Sequence, residues 1–247
     1  LFASVVDTPF FKDMIAESHK KLVESMFTER HYPKGQVLYF HGDEGNEMYI
    51  VKSGTLKIYR QNEEQEIIFG HQFPGEVIGE LEVFHYDNRR TASVAALEET
   101  VLWMIKKPDL LELTKLYPDI LRKTIFILSE RLSQADRKVE YLAFLDIRVR
   151  VANLLIDLYI NFGLSTSEGS KINWKFTQQH LASMIGSGRE STARTMKELQ
   201  REGILDIRRR YIYILDIQAL QNIAGRKADM DENSKWHNTH VYDSSSN

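Results

Sequence analysis

The chain has 247 residues, 43 % of them hydrophobic, and a formal net charge of −3, enough apolar side chain for packed cores and too little overall positive charge to point to nucleic acid. It contains no cysteine, which excludes disulfides, thiolate metal sites, cysteine nucleophiles and cysteine-ligated iron–sulfur clusters. No window holds the roughly 20 apolar residues of a membrane span, and the amino end lacks the blocks of a secretory signal, so a cytoplasmic protein is expected.

From residue 31 to 105 the sequence reads as short alternating runs at 36–40, 48–51, 55–59, 66–69, 93–96 and 101–105, with glycines between them or at their ends. That spacing predicts strands of an all-β sandwich or barrel, a small jelly roll in particular. Within it, the stretch GEVIGELEVFHYDNRRTASV (75–94) joins a glycine turn to a short helical bend and then to an arginine opening a strand. Backbone N–H groups around Gly79, Glu80 and Leu81 would cradle a phosphate, Arg90 would add charge and a bidentate fork, and Glu80 would accept from a sugar hydroxyl. An arginine at a strand start is more often a plain surface charge, so the pattern by itself leaves both readings open.

After Pro118 the period changes. Leu121, Ile125, Leu128, Leu132, Ala135, Val139 and Leu142 recur at steps of four and three, a heptad seam flanked by Arg122, Glu130, Arg137 and Lys138. The seam suits a helix pair between two copies, or a single amphipathic helix on its own domain. A second helical segment follows through Val151, Leu154, Leu155, Leu158 and Tyr159, and residues 163–169 read as a polar, turn-rich loop.

Charge is divided unevenly. Residues 145–226 carry twelve Lys/Arg against eight Asp/Glu, whereas residues 1–144 carry eighteen against twenty-three, so the C-terminal third is the nucleic-acid candidate. There, FTQQHLASMIGSGRESTARTMKELQREGIL (176–205) has helix-turn-helix form. Thr177 is a good N-cap for a helix whose Leu181, Ala182 and Ile185 face inward, Gly186 permits a tight turn, and a second helix starts near Gly188 and carries Ser191, Thr192, Met196 and Leu199. Arg189, Glu190 and Arg194 share nearly one face, suited to guanine and cytosine edges in a major groove. Thr177 and Gln179 would touch phosphate; Ser187 and Ser191 stand beside the reading face, and strands at 204–207 and 211–215 flank a basic tip at Arg208, Arg209 and Arg210 that suits a wing on the phosphate backbone. The bland reading of such Arg/Glu mixtures is a solvated, salt-bridged face. The polar segment 227–247 is expected to be a mobile tail, and its His237 and His240 to be solvated rather than metal ligands.

Taken together, the segments from about Tyr32 to Leu215 resemble the cyclic AMP receptor protein and fumarate/nitrate-reductase regulator (Crp/Fnr) superfamily. The phosphate-binding cassette of cyclic AMP receptors is similar to Gly79-Glu80-Leu81 followed by Arg90 and Thr91, the YLAFLD run at 141–146 is like the family's hinge, and its recognition helix is similar to Arg189-Glu190 with Arg194, which in family members reads a TGTGA-like half-site. The resemblance implies an α+β fold: an N-terminal helix and β-roll sensor (1–117), a dimerisation helix (118–144), a winged helix-turn-helix (145–226) and the tail (227–247). It also implies a non-enzymatic, homodimeric transcription regulator on palindromic double-stranded DNA, gated by a small effector with a cyclic nucleotide as the candidate, and with RNA polymerase as partner if it activates. The segment 163–171 lies where related activators present a polymerase surface, or is a plain connector.

Two departures stand out. Where cyclic AMP receptors resemble a threonine-serine pair, this chain has Ala135 and Asp136, so the adenine-facing hydroxyl is absent, although Asp136 offers an acceptor to an exocyclic amine. At the cassette, Glu82 replaces a position that is often glycine and adds negative charge near the phosphate. A constitutive regulator with a purely structural β-roll is the alternative these departures motivate. A haem-sensing branch would need an axial ligand, and His41, His71 and His85 read as ordinary loop or strand residues.

Overall fold

In a computed structural model, which describes residues 2–167 and 169–225, the chain divides into two compact units. Among the described residues, the first comprises those up to Arg60 and Phe69–Leu132; the second takes Gln61–Ile68 and those from Ser133 to Gly225.

The first unit is organised by the two-residue period of its strands. Its first sheet has the order β1-β8-β3-β6, built from β1 (Thr28–Tyr32), β3 (Glu47–Ser53), β6 (Val77–Ile78) and β8 (Thr100–Lys106). In β3 and β8 both faces are buried: Tyr49, Val51, Leu102 and Met104 face one cluster, and Met48, Ile50, Trp103 and Ile105 face another. Burial on both sides explains why these strands read as nearly continuous apolar runs. The second sheet, β2-β7-β4-β5, contains β2 (Val37–Tyr39), β4 (Leu56–Gln61), β5 (Glu66–Gln72) and β7 (Ser93–Ala96). It closes over the first cluster through Leu56, Val94 and Ala96.

Helical segments cover the other face of the first sheet. Val5, Val6, Phe10 and Phe11 from the amino end, Val23 of α1 (Lys20–Ser25), Leu110 and Leu113 of α3 (Lys107–Leu116), and Ile120 and Ile127 of α4 (Asp119–Phe144) pack there, while α2 (Glu80–Phe84) follows β6. The heptad residues of α4 lie on its other side. Ile125, Leu132 and Val139 are 63–65 % exposed, an apolar stripe left uncovered among the described residues.

In the second unit, Asp146 caps α5 (Ile147–Phe162) by accepting from the Val149 amide at 2.9 Å. The helices α6 (Gln178–Ile185), α7 (Arg189–Arg201) and α8 (Ile217–Ala224) and a four-stranded sheet complete it. That sheet has the order β11-β12-β10-β9, with β9 (Gly163–Thr166), β10 (Gly169–Ile172), β11 (Leu205–Arg208) and β12 (Tyr211–Ile214).

The structure corrects three readings. The segment 163–169 is not a loop: β9 and β10 form an antiparallel hairpin, because Ser170, Lys171 and Ile172 pair with Ile214, Tyr213 and Ile212 of β12 and extend the sheet. Arg90 does not open a strand but sits in the connection before β7. β1, with the polar sequence TERHY, was not expected as a strand; it is an edge strand paired with β8. The segment 227–247, with His237 and His240, lies outside the described residues.

Candidate functional site

Gly79 makes the sensor-side site geometrically feasible. It ends β6 with φ +84° and serves as N-cap of α2; a Cβ there would stand 2.6 Å from Arg90 Nη1 and 3.0 Å from the Glu47 carbonyl oxygen. Gly45 is similarly constrained, since its Cβ would meet Arg90 Nε at 2.7 Å. Between these glycines the Arg90 side chain is only 1 % exposed. It lies over the Tyr39 ring, with its guanidinium carbon 4.0 Å from the ring centroid.

The partners of Arg90 come from the chain itself. Nη1 donates to Glu82 Oε2 at 3.2 Å and to the Gly79 carbonyl at 3.4 Å, and Nη2 donates to the Glu47 carbonyl at 3.0 Å with Glu47 Oε2 at 3.8 Å. Glu82 is 4 % exposed, and its other oxygen, Oε1, accepts from the Thr91 amide at 3.0 Å and from Thr91 Oγ1 at 3.2 Å. Arg90 Nε and Glu80 Oε2 are buried with no hydrogen-bond partner among the described residues.

Glu80, the expected sugar-hydroxyl acceptor, is fully buried and ion-paired with Arg131 of α4, which also donates to the Val77 carbonyl. Burial pushes the Glu80 carboxyl above the ordinary carboxylate range, against the pull of Arg131. It likewise raises the Tyr39 and Tyr49 phenols. Leu81 and Thr91 are exposed. Ala135 and Asp136 lie on exposed positions of α4.

The structure places Gly79, Arg90 and Thr91 close together, with Glu82, Glu47 and Tyr39 around Arg90 and Arg131 on Glu80. Three carboxylates, those of Glu47, Glu80 and Glu82, face two guanidiniums. Arg90 Nη1 and the Thr91 amide and hydroxyl, the donors expected to face a phosphate, hold the Glu82 carboxylate.

On the basic side, Thr177 caps α6 by accepting from the His180 amide at 3.0 Å, and Gly186 makes the turn in the left-handed region, φ +62°. Leu181, Ala182 and Ile185 of α6 and Thr192, Thr195, Met196 and Leu199 of α7 are buried. The 3.6-residue period then leaves Arg189, Glu190 and Arg194 exposed together at the start of α7. Thr177 and Gln179 are exposed, while Ser187 and Ser191 are half-buried next to this face. Arg208 is drawn to Asp206, with Nε donating at 2.7 Å, so it is Arg209 and Arg210 that form the exposed tip. Lys171 of β10 and Lys175 in the connection after it, not anticipated from the sequence, stand 3.8 and 5.3 Å from the Tyr211 ring centroid and add positive charge beside it.

Comparison with known proteins agrees with this division. Residues 29–117 match the cyclic nucleotide-binding domain, and residues 149–223 match the Crp-like helix-turn-helix domain. The chain is 28 % identical over 218 residues to the cyclic AMP receptor protein of Thermus thermophilus, covering 88 % of this chain and 97 % of that one. It is 30 % identical over 210 residues to the CRP-like protein Clp of Xanthomonas campestris pv. campestris, covering 82 % and 86 %. Among solved structures it is similar to the c-di-GMP-responsive global regulator CLP of Xanthomonas campestris, with a TM-score of 0.73, 27 % identity, and coverage of 81 % of this chain and 99 % of that one.

Proposed function

Because the chain belongs to the Crp/Fnr family of transcription regulators, we propose that it acts as a homodimer on palindromic DNA, with α7 of each copy in the major groove. The observation that carries this is the exposed trio Arg189, Glu190 and Arg194 on the first turns of a helix set by the Thr177 cap and the Gly186 turn. An arginine fork reads guanine O6 and N7, and a carboxylate accepts from the cytosine amino group. Thr177, Gln179, Ser187 and Ser191 supply phosphate and positioning contacts, and Arg209 at the hairpin tip grips the backbone.

The exposed heptad stripe of α4 is the proposed dimer seam, and the working division is 1–117, 118–144 and 145–226. Two-fold symmetry then sets recognition helices about 34 Å apart and half-sites centred roughly 10 base pairs apart. Such a regulator works in the cytoplasm, with RNA polymerase as its partner if it activates. No helix among the described residues is long and apolar enough to cross a membrane.

The β-roll is the proposed sensor, since the relatives named above are a cyclic AMP receptor and a c-di-GMP-responsive regulator. A ligand controls such a protein only by binding the DNA-competent state more tightly. The second reading, DNA binding that needs no effector, is favoured by one observation, the Glu82 carboxylate on Arg90 and Thr91. Selection from a randomised duplex pool tests the DNA assignment. A two-fold motif with that half-site spacing supports it, and a pool with no enriched motif or a single asymmetric one refutes it.

A further inference from the structure

The donors around Arg90 form a cradle of the kind that holds an oxyanion: a buried guanidinium, a backbone amide and a hydroxyl converging on one carboxylate. In this chain the two oxygens of Glu82 take that place. Oε2 accepts from Arg90 Nη1, and Oε1 accepts from both the amide and the hydroxyl of Thr91, so one carboxylate makes the three contacts that a phosphate would make with two of its oxygens. Local geometry holds it there. Glu82 is 4 % exposed in the short helix α2, flanked in space by the buried Val83 and anchored at its start by Gly79, whose positive φ and close approach to Arg90 fix where the helix begins.

We propose that Glu82 is a built-in anion filling the phosphate position of the β-roll, and that it sets the specificity of the site by excluding anionic nucleotides. DNA binding by the wild-type protein then does not wait for a cyclic nucleotide. Charge supports the exclusion as well as space does: the Glu82 and Glu47 carboxylates already face the single Arg90 guanidinium, so an arriving phosphate meets an excess of negative charge around Arg90. Both terminal nitrogens of Arg90 have acceptors without a ligand. Removing the Glu82 carboxylate leaves the buried cation with only the longer, part-exposed Glu47 carboxylate at 3.8 Å, which opens the same donors to an external anion. This inference rests on the second, effector-independent reading given above, and its nucleotide test does not depend on which DNA sequence is read.

The experiment is a thermal-shift and equilibrium-dialysis comparison of the full-length wild type with Glu82→Ala and Glu82→Gln, each against cyclic AMP and, separately, inorganic phosphate. Expected are no shift and no retained nucleotide for the wild type, and for Glu82→Ala a lowered midpoint that rises with the concentration of either anion, as mass action requires of a ligand that binds only the folded state. Glu82→Gln keeps the acceptor to Thr91 while losing the charge, and should bind anions more weakly than the alanine variant; it covers the case in which Glu82→Ala does not fold. A rescue by phosphate equal to that by cyclic AMP identifies an anion cradle, and a rescue by cyclic AMP alone identifies a cradle that also retains its nucleoside contacts. Either supports the proposal. Retention of cyclic AMP by the wild type overturns it, as does the absence of any anion effect on both variants. Binding of wild type to its selected duplex is measured in parallel, so that loss of DNA binding condemns the DNA assignment and leaves the nucleotide result standing.

Discussion

Arg209 and Arg210 sit between β11 and β12 with φ of +51° and +72°. A two-residue hairpin with both central residues in the left-handed region is the type I′ turn, which Asn-Gly adopts most cheaply. The left-handed conformation costs an L-residue about 1–2 kcal/mol. Asparagine relieves part of that at 209. Glycine relieves it at 210 but gives back about 0.5–1 kcal/mol as extra entropy of the unfolded chain. The double variant Arg209→Asn/Arg210→Gly is therefore expected to be more stable by roughly 1–2 kcal/mol. In exchange the tip loses two positive charges, so the dependence of log affinity on log salt should become shallower by about 1–2 while sequence preference is kept. Urea titration followed by circular dichroism gives the first quantity, and fluorescence anisotropy over a salt series gives the second. A variant that is less stable, or whose salt slope is unchanged, refutes the argument that strain is tolerated at this tip because the charges meet phosphate.

The remaining predictions concern the two halves separately. Arg189→Ala should lose about 1–3 kcal/mol of discrimination at one base pair of the half-site; equal loss on specific and random duplexes would remove Arg189 from base reading. Arg131→Met strands the buried Glu80 carboxylate and should destabilise the sensor unit by about 3–5 kcal/mol near neutral pH, a loss that Glu80→Gln in the same chain reduces. Because the folded-state pKa of Glu80 lies above its unfolded value, this group favours folding at low pH and the advantage fades as pH rises through the folded pKa, so acid should narrow the gap between Arg131→Met and wild type. Lys138, which donates to the Ile68 carbonyl, is pulled down to about 8 by burial. Its folded-state pKa lies below the unfolded value, so stability should climb from about pH 8 to 10.5, and Lys138→Met should lack that climb in parallel denaturant titrations.

What the sequence disclosed was what local chemistry decides. The Thr177 cap and the Gly186 turn are written in single residues with their own backbone demands, and both stand where the spacing put them. The apolar runs of β3 and β8 and the heptad stripe of α4 were legible because periodicity alone fixes which faces share character. The hairpin of β9 and β10 was not, since its polar residues become strand only by pairing with β12 some 40 residues later. β1 was hidden for the same reason, since its partner β8 lies some 70 residues later in the chain. At the sensor site, Arg90 and Glu82 were visible as charges. That one carboxylate would bridge Arg90 and Thr91, and that Arg131 would reach Glu80 from 51 residues away, depends on tertiary placement that no local pattern encodes.

The central claim is that this family member reads DNA sequence through α7 whether or not a cyclic nucleotide is present. Anisotropy titration of the full chain against its selected palindrome and a scrambled duplex, at one fixed salt concentration and with and without cyclic AMP, tests it most directly. The account predicts tight binding to the palindrome alone, at the same affinity in both conditions. Equal weak binding to both duplexes would contradict the reading of α7, and tight binding that appears only with cyclic AMP would contradict the role given to Glu82.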